Sequence, residues 1–115
     1  MNENGNTIDL GATITKLEAI ELKLLEIDTD ELEPEEQNAL ADKLDEVARD
    51  LTRLRNADLQ NLSDEFVARE PELRTAAGQL EEDLSELTDA VEMINVASAG
   101  LKTITDIVAL LGPLA

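Results

Sequence analysis

The stretch LRTAAGQLEEDLSELTDAVEMINVASAGLKTITDIV, Leu73 to Val108, decides how this chain is read. Leu73, Ala77, Leu80, Leu84, Leu87, Val91, Ile94, Ser98, Leu101, Thr105 and Val108 recur at steps of four and three. That spacing lays one side chain after another along a single face of an α-helix, the pattern of a coiled-coil seam. Pro71 suits the first turn of such a helix, and Gly112-Pro113 is a stop signal. A helix over 71–111 is therefore predicted.

Working backwards, Leu40, Leu44, Val47, Leu51, Leu54 and Asp58 repeat the same steps, and Leu59, Leu62, Phe66 and Val67 carry them on. No Gly or Pro interrupts Glu35 to Glu70. A second helix is expected over 34–68, roughly 50 Å long at about 1.5 Å per residue. The break between the two is placed at Arg69-Glu70-Pro71-Glu72, because the residue before a proline avoids helical geometry.

A shorter first helix is expected over 9–27, begun near Thr7 to Asp9 and carrying Leu10, Ile14, Leu17, Ile20, Leu24 and Ile27 on one stripe. Leu22 and Leu25 lie off that stripe, which implies a second neighbour. Met1 to Asn6 are polar and expected to fray. Asp28-Thr29-Asp30 ends this helix; Asp30 and Glu33 have capping-box spacing before Pro34.

Short connections make consecutive helices antiparallel neighbours. The expected fold is all-α: one domain over 1–115, with the second and third helices as a long antiparallel coiled-coil hairpin. The first helix packs at its open end. Apolar residues cover two faces of the chain from Met93 to Leu111 but one stripe from Leu73 to Ala90. This predicts a three-helix end and a bare two-helix projection over about Leu54 to Ala90. A projection that thin would gain from self-association, so a homo-oligomer is an expectation. The small-residue tracts Thr75 to Gly78 and Ala97 to Gly100 are read as close helix approach rather than as hinges.

Composition supports helix-on-helix packing. Of 115 residues 43% are hydrophobic but only 1% aromatic, a single Phe66, so the core must be aliphatic. The net charge is −18, from 27 acidic and 9 basic residues. Such a field repels phosphates and anionic lipid, so direct nucleic-acid binding is not expected and a membrane is disfavoured. A basic protein partner fits this charge, as does simple solvation of helix surfaces or a salt-rich cell interior.

His, Cys, Tyr and Trp are absent. That removes Ser-His-Asp and Cys-His nucleophiles, histidine and thiolate metal sites, disulfides and aromatic stacking platforms. No phosphate-cradling glycine motif occurs. Asp28-Thr29-Asp30 resembles the start of a calcium loop. The positions needing an oxygen ligand, a glycine and a glutamate hold Leu32, Glu33 and Ala39. Asp58, on the seam, is read as a register-setting polar residue paired with Arg55 or Arg74. No enzyme activity, cofactor or metal is expected. The N-terminus has no basic-then-apolar leader and no stretch reaches ~18 uninterrupted apolar residues, so a cytoplasmic location is expected.

The acids are uneven. Glu26 to Glu36 holds seven acids and no base, and Glu81 to Glu92 six acids and no base. Glu81, Glu82, Asp83, Glu86, Asp89 and Glu92 are the candidate partner-binding residues. Met93, Val96, Ile104, Ile107 and Leu111 are the candidate apolar surface, with the bundle core as their alternative use. The expected function is a non-catalytic protein-interaction module (an adaptor, chaperone, assembly factor or inhibitor). One alternative is an acidic decoy, its carboxylates imitating a nucleic-acid backbone to block a basic nuclease or DNA-binding protein. A second is a membrane-active protein that opens to expose Met93 to Leu111.

Overall fold

The computed structural model describes residues 8–112 and, among them, contains helices and no strand. Four α-helices pack together: α1 (Gly11–Leu25), α2 (Pro34–Arg55), α3 (Asp64–Ser85) and α4 (Ala90–Val108). Short 3-10 turns at Thr29–Glu31 and Ala109–Leu111 precede α2 and follow α4. The expected fraying and helix start at Met1 to Thr7, and the stop at Pro113, lie outside the described residues.

Each predicted long helix is divided by a side-chain cap that the heptad spacing conceals. The predicted second helix ends at Arg55, and residues 56–63 form a loop. Asp58 folds that loop on itself, accepting from the Gln60 backbone at 3.0 Å and from Asn61 Nδ2 at 2.6 Å. Ser63 then caps α3 by accepting from the Phe66 N–H at 3.1 Å. Such a cap satisfies one of the orphan donors at a helix start. Asp58 is thus an exposed loop residue and not a seam residue paired with Arg55 or Arg74.

Pro71 is not a boundary. It sits inside α3, which runs on to Ser85. The proline cannot donate to the carbonyl four residues back, on Val67. Both Val67 and Pro71 lie on the exposed side, where water can take up that carbonyl. The actual division of the predicted third helix comes at 86–89. There Asp89 accepts from the Glu92 N–H at 2.9 Å and starts α4.

Elsewhere the boundaries lie close to those read from sequence. Pro34 opens α2 as expected. The capping box is Glu33 with Glu36, not Asp30 with Glu33; Asp28 instead caps the 3-10 turn through the Asp30 N–H. Asp9 accepts from Gly11 at the start of α1. Gly112 closes the last turn at φ +93, a conformation that favours glycine.

The four helices form two hairpins laid against each other. Each helix packs on two others: α1 on α2 and α3, and α4 on α2 and α3. The α3–α4 pair is antiparallel, with Leu80 opposite Gly100. Helices α2 and α4 run the same way, because Thr105 meets Glu46 and Asp50, and Leu110 and Leu111 share a pocket with Arg53 and Asn56. The C-terminal ends of α1 and α3 likewise line one groove. The loop 56–63 therefore crosses diagonally between α2 and α3, which make few direct contacts.

The core follows from this ring. Leu17, Ile20 and Leu24 of α1, Val47, Leu51 and Leu54 of α2, Phe66, Leu73, Leu80 and Leu84 of α3, and Leu101, Ile104 and Ile107 of α4 are buried together. Burial of one such side chain contributes roughly 1.5–3 kcal/mol. The predicted bare projection over Leu54 to Ala90 does not exist: α1 lies along α3 and covers it. Leu22 and Leu25 are not buried against a second neighbour as expected; they are 57% and 61% exposed. Gly100 permits a close approach, as expected of its tract, whereas a Cβ on Gly78 would meet nothing within 4 Å.

Candidate functional site

The two acid-rich stretches, fifty residues apart in sequence, meet at one end of the bundle. The turn after α1 and the corner between α3 and α4 line a groove of about 330 Å³. Glu26, Asp28 and Glu31 come from the first stretch, and Ser85 and Thr88 from the second. Ile27, Leu84, Leu87, Ala90 and Met93 supply apolar lining. Ile27, Leu84 and Met93 are core residues whose edges reach the groove; Leu87 is half-buried.

This end is poor in compensating charge. Six ion pairs occur among the described residues, joining Lys16, Lys43, Arg49, Arg55, Arg69 and Arg74 to acids. Of the thirteen acids in the two stretches, only Glu81 has such a partner, Lys16 at 3.4 Å. Lys23 is the one base lining the groove. The basic residues are spent along the helix flanks, as in Arg55 with Glu18 at 2.6 Å.

The six predicted acids divide by role. Glu82, Glu86 and Glu92 are exposed; Glu81 and Asp83 are half-buried, and Asp83 accepts from Gln79 at 3.0 Å. Asp89 is exposed and its carboxylate is engaged as the α4 cap. The predicted apolar surface is largely interior. Ile104 and Ile107 have no exposed area and Met93 is 9% exposed, because α4 lies against both α2 and α3. Val96 and Leu111 are half-buried. Sequence reasoning did not pick out Ile27 and Leu84, whose stripe positions marked them only as core.

A second polar constellation lies between α2 and α4. Thr105 Oγ1 is 2.6 Å from both Glu46 Oε2 and Asp50 Oδ2. Asp50 has no exposed surface, although it is a charged residue type. Burial pushes the Glu46 carboxyl up, but the hydrogen bonds from Thr105 and Lys43 and the charges of Lys43 and Arg49 outweigh it and hold it below its ordinary value. For Asp50, burial dominates the opposing Thr105 bond; the Glu46 charge adds to it, Arg53 and Arg49 oppose it, and the carboxyl stands at about 6. Asp50 was legible as a neighbour of the Val47–Leu51–Leu54 seam, three residues beyond Val47 and on its face.

Among the described residues, neither constellation sets three or more His, Cys, Asp or Glu side chains in a group that could hold a metal ion. Residues Ala90–Leu111 are long and apolar enough to cross a membrane by length and composition, at mean hydropathy 1.4. In the bundle that helix buries Met93, Ile94, Ala97, Leu101, Ile104, Ile107 and Val108 against its neighbours. Comparison of the chain with protein-family models, with curated proteins and with solved structures finds no match.

Proposed function

We propose that this chain is a non-catalytic protein-interaction module that binds a basic segment of a partner at its acidic end. One observation carries the reading: Glu26, Asp28 and Glu31 line a single groove whose apolar lining comes largely from the α3–α4 corner. Charge complementarity would draw a basic partner and fix its orientation, while affinity would come from an aliphatic side chain seated on Leu87 and Met93. A cationic amphipathic helix has both features. The decoy reading asks for carboxylates in rows along a rod; the three that stand beside an apolar lining favour the binding module instead.

The test is fluorescence anisotropy with a labelled Lys-rich amphipathic peptide carrying leucines at helical spacing. Binding should weaken steeply with salt. It should also weaken at least tenfold in a Glu26→Gln, Glu31→Gln variant, and again when the peptide's leucines become serine. A serine peptide that binds as tightly as the leucine peptide would leave only nonspecific charge attraction and end the proposal.

A further inference from the structure

Proton counting at Thr105 leads beyond partner binding. Its hydroxyl carries one hydrogen, and an ionised carboxylate can only accept. Yet Oγ1 lies 2.6 Å from both Glu46 Oε2 and Asp50 Oδ2, a distance typical of a charge-assisted O–H···O bond. Two such contacts require two protons. The hydroxyl provides one; a carboxyl must hold the other. Glu46 is half-buried and also accepts from Lys43 at 2.9 Å, which supports its ionised form. Asp50 is fully buried, and its Oδ1 has no hydrogen-bond partner. The neutral acid therefore belongs at Asp50, where a charge would be costliest.

We propose that the α2–α4 contact is a proton-operated latch, in which protonated Asp50 donates to Thr105, Thr105 donates to Glu46, and loss of that one proton loosens α4 from α2. Once Asp50 ionises, two carboxylates compete for one hydroxyl hydrogen and repel each other across it.

The groups around the latch leave Asp50 as the member that titrates. On α2 itself, Asp42, Lys43, Glu46, Arg49 and Arg53 line the same pocket. From α4 only Thr105 reaches it; Lys102 and Asp106 are exposed. From α1, the other neighbour of α2, Glu18 is engaged with Arg55. The turn Ala109–Leu111 has no titratable side chain. The folded-state value of about 6 exceeds the ordinary 3.8. The latch's contribution is thus fully present below about 3.8 and is lost as pH rises through about 6.

Carboxyl-carbon NMR of the full chain, with Asp50 assigned by comparison with Asp50→Asn, tests this directly. Asp50 should titrate near pH 6, and the amides of Ile104 to Val108 should shift with the same midpoint. An Asp50 midpoint below about 4.5, within the ordinary aspartate range, would overturn the latch. So would α4 amides that ignore the titration. Urea unfolding provides a second readout. Asp50→Asn keeps a donor to Thr105 without a titrating proton, so the wild-type midpoint should fall relative to it as pH rises through 6. Parallel profiles would count against the proposal, because charge repulsion across the rest of the chain is common to both proteins.

Discussion

Gly100 lies so close to Leu80 that a Cβ placed on it would stand 2.8 Å from Leu80 Cδ1, 3.0 Å from Cδ2 and 3.2 Å from Cγ. Leu80 is buried, so its side chain would have to shift to admit that Cβ. Gly100→Ala should gain about 1 kcal/mol of helix propensity and lose about 1–3 kcal/mol to overpacking, for a net loss of stability. Gly78→Ala, with open space around it, should gain about 0.5–1 kcal/mol. Thermal unfolding of the two variants should move in opposite directions. If both gained, the α3–α4 approach would not be tight.

Pro71 withholds one hydrogen bond from the middle of α3 on an exposed face. Pro71→Ala restores the donor to the Val67 carbonyl and should stabilise the bundle by about 1–3 kcal/mol, measured by urea unfolding. A loss of stability would mean that the packing of α3 depends on the bend a proline imposes.

The two caps that divide the predicted long helices should be of similar worth. Ser63→Ala and Asp89→Ala each remove one acceptor from a helix start and should cost about 1 kcal/mol. Denaturant midpoints check this. Hydrogen exchange should show the loss of protection concentrated at Phe66 and Glu92, whose amides lose their partners.

Leu22 and Leu24 look alike in composition and differ in surroundings. Leu24 is fully buried and Leu22 is 57% exposed. Leu24→Ala should cost about 2–5 kcal/mol. Leu22→Ser with Leu25→Ser should change stability by less than about 1 kcal/mol. A large cost for the serine pair, growing with protein concentration, would reveal that this ridge is covered by a second copy.

The net charge of −18 should make the fold more stable as salt rises. The six ion pairs each contribute on the order of 0–1 kcal/mol and weaken with screening. The repulsion among the remaining acids weakens as well, and it involves more charges. The melting temperature should therefore rise between low salt and about 0.5 M sodium chloride, where the Debye length is only a few ångströms. A fall would show that the ion pairs dominate.

Much of the local structure was legible in the residues. Apolar spacing marked Leu17, Val47, Leu73 and Leu101 as core, and Pro34 marked the start of α2. The division into four helices was harder to see. Leu54, Asp58, Leu62 and Phe66 keep helical steps of four across a loop, and Leu84, Leu87 and Val91 continue the heptad steps across a corner. Periodicity reports only that residues are compatible with one helix face. Whether a helix stops there depends on the competition between one more turn and a cap such as Ser63 or Asp89, a difference of about 1 kcal/mol. Asn56, Asn61, Ser63 and the Thr88-Asp89 pair carried that signal locally.

The sequence alone determined an aliphatic, all-helical chain with a large acidic excess, because side-chain period and charge are properties of the residues themselves. Only the tertiary structure decided that α1 would cover α3, that Glu31 and Leu87 would share one groove, and that Asp50 would meet Thr105. Those pairings join residues tens of positions apart. They are set by how four amphipathic helices bury their faces together, a cooperative choice that no single stretch contains.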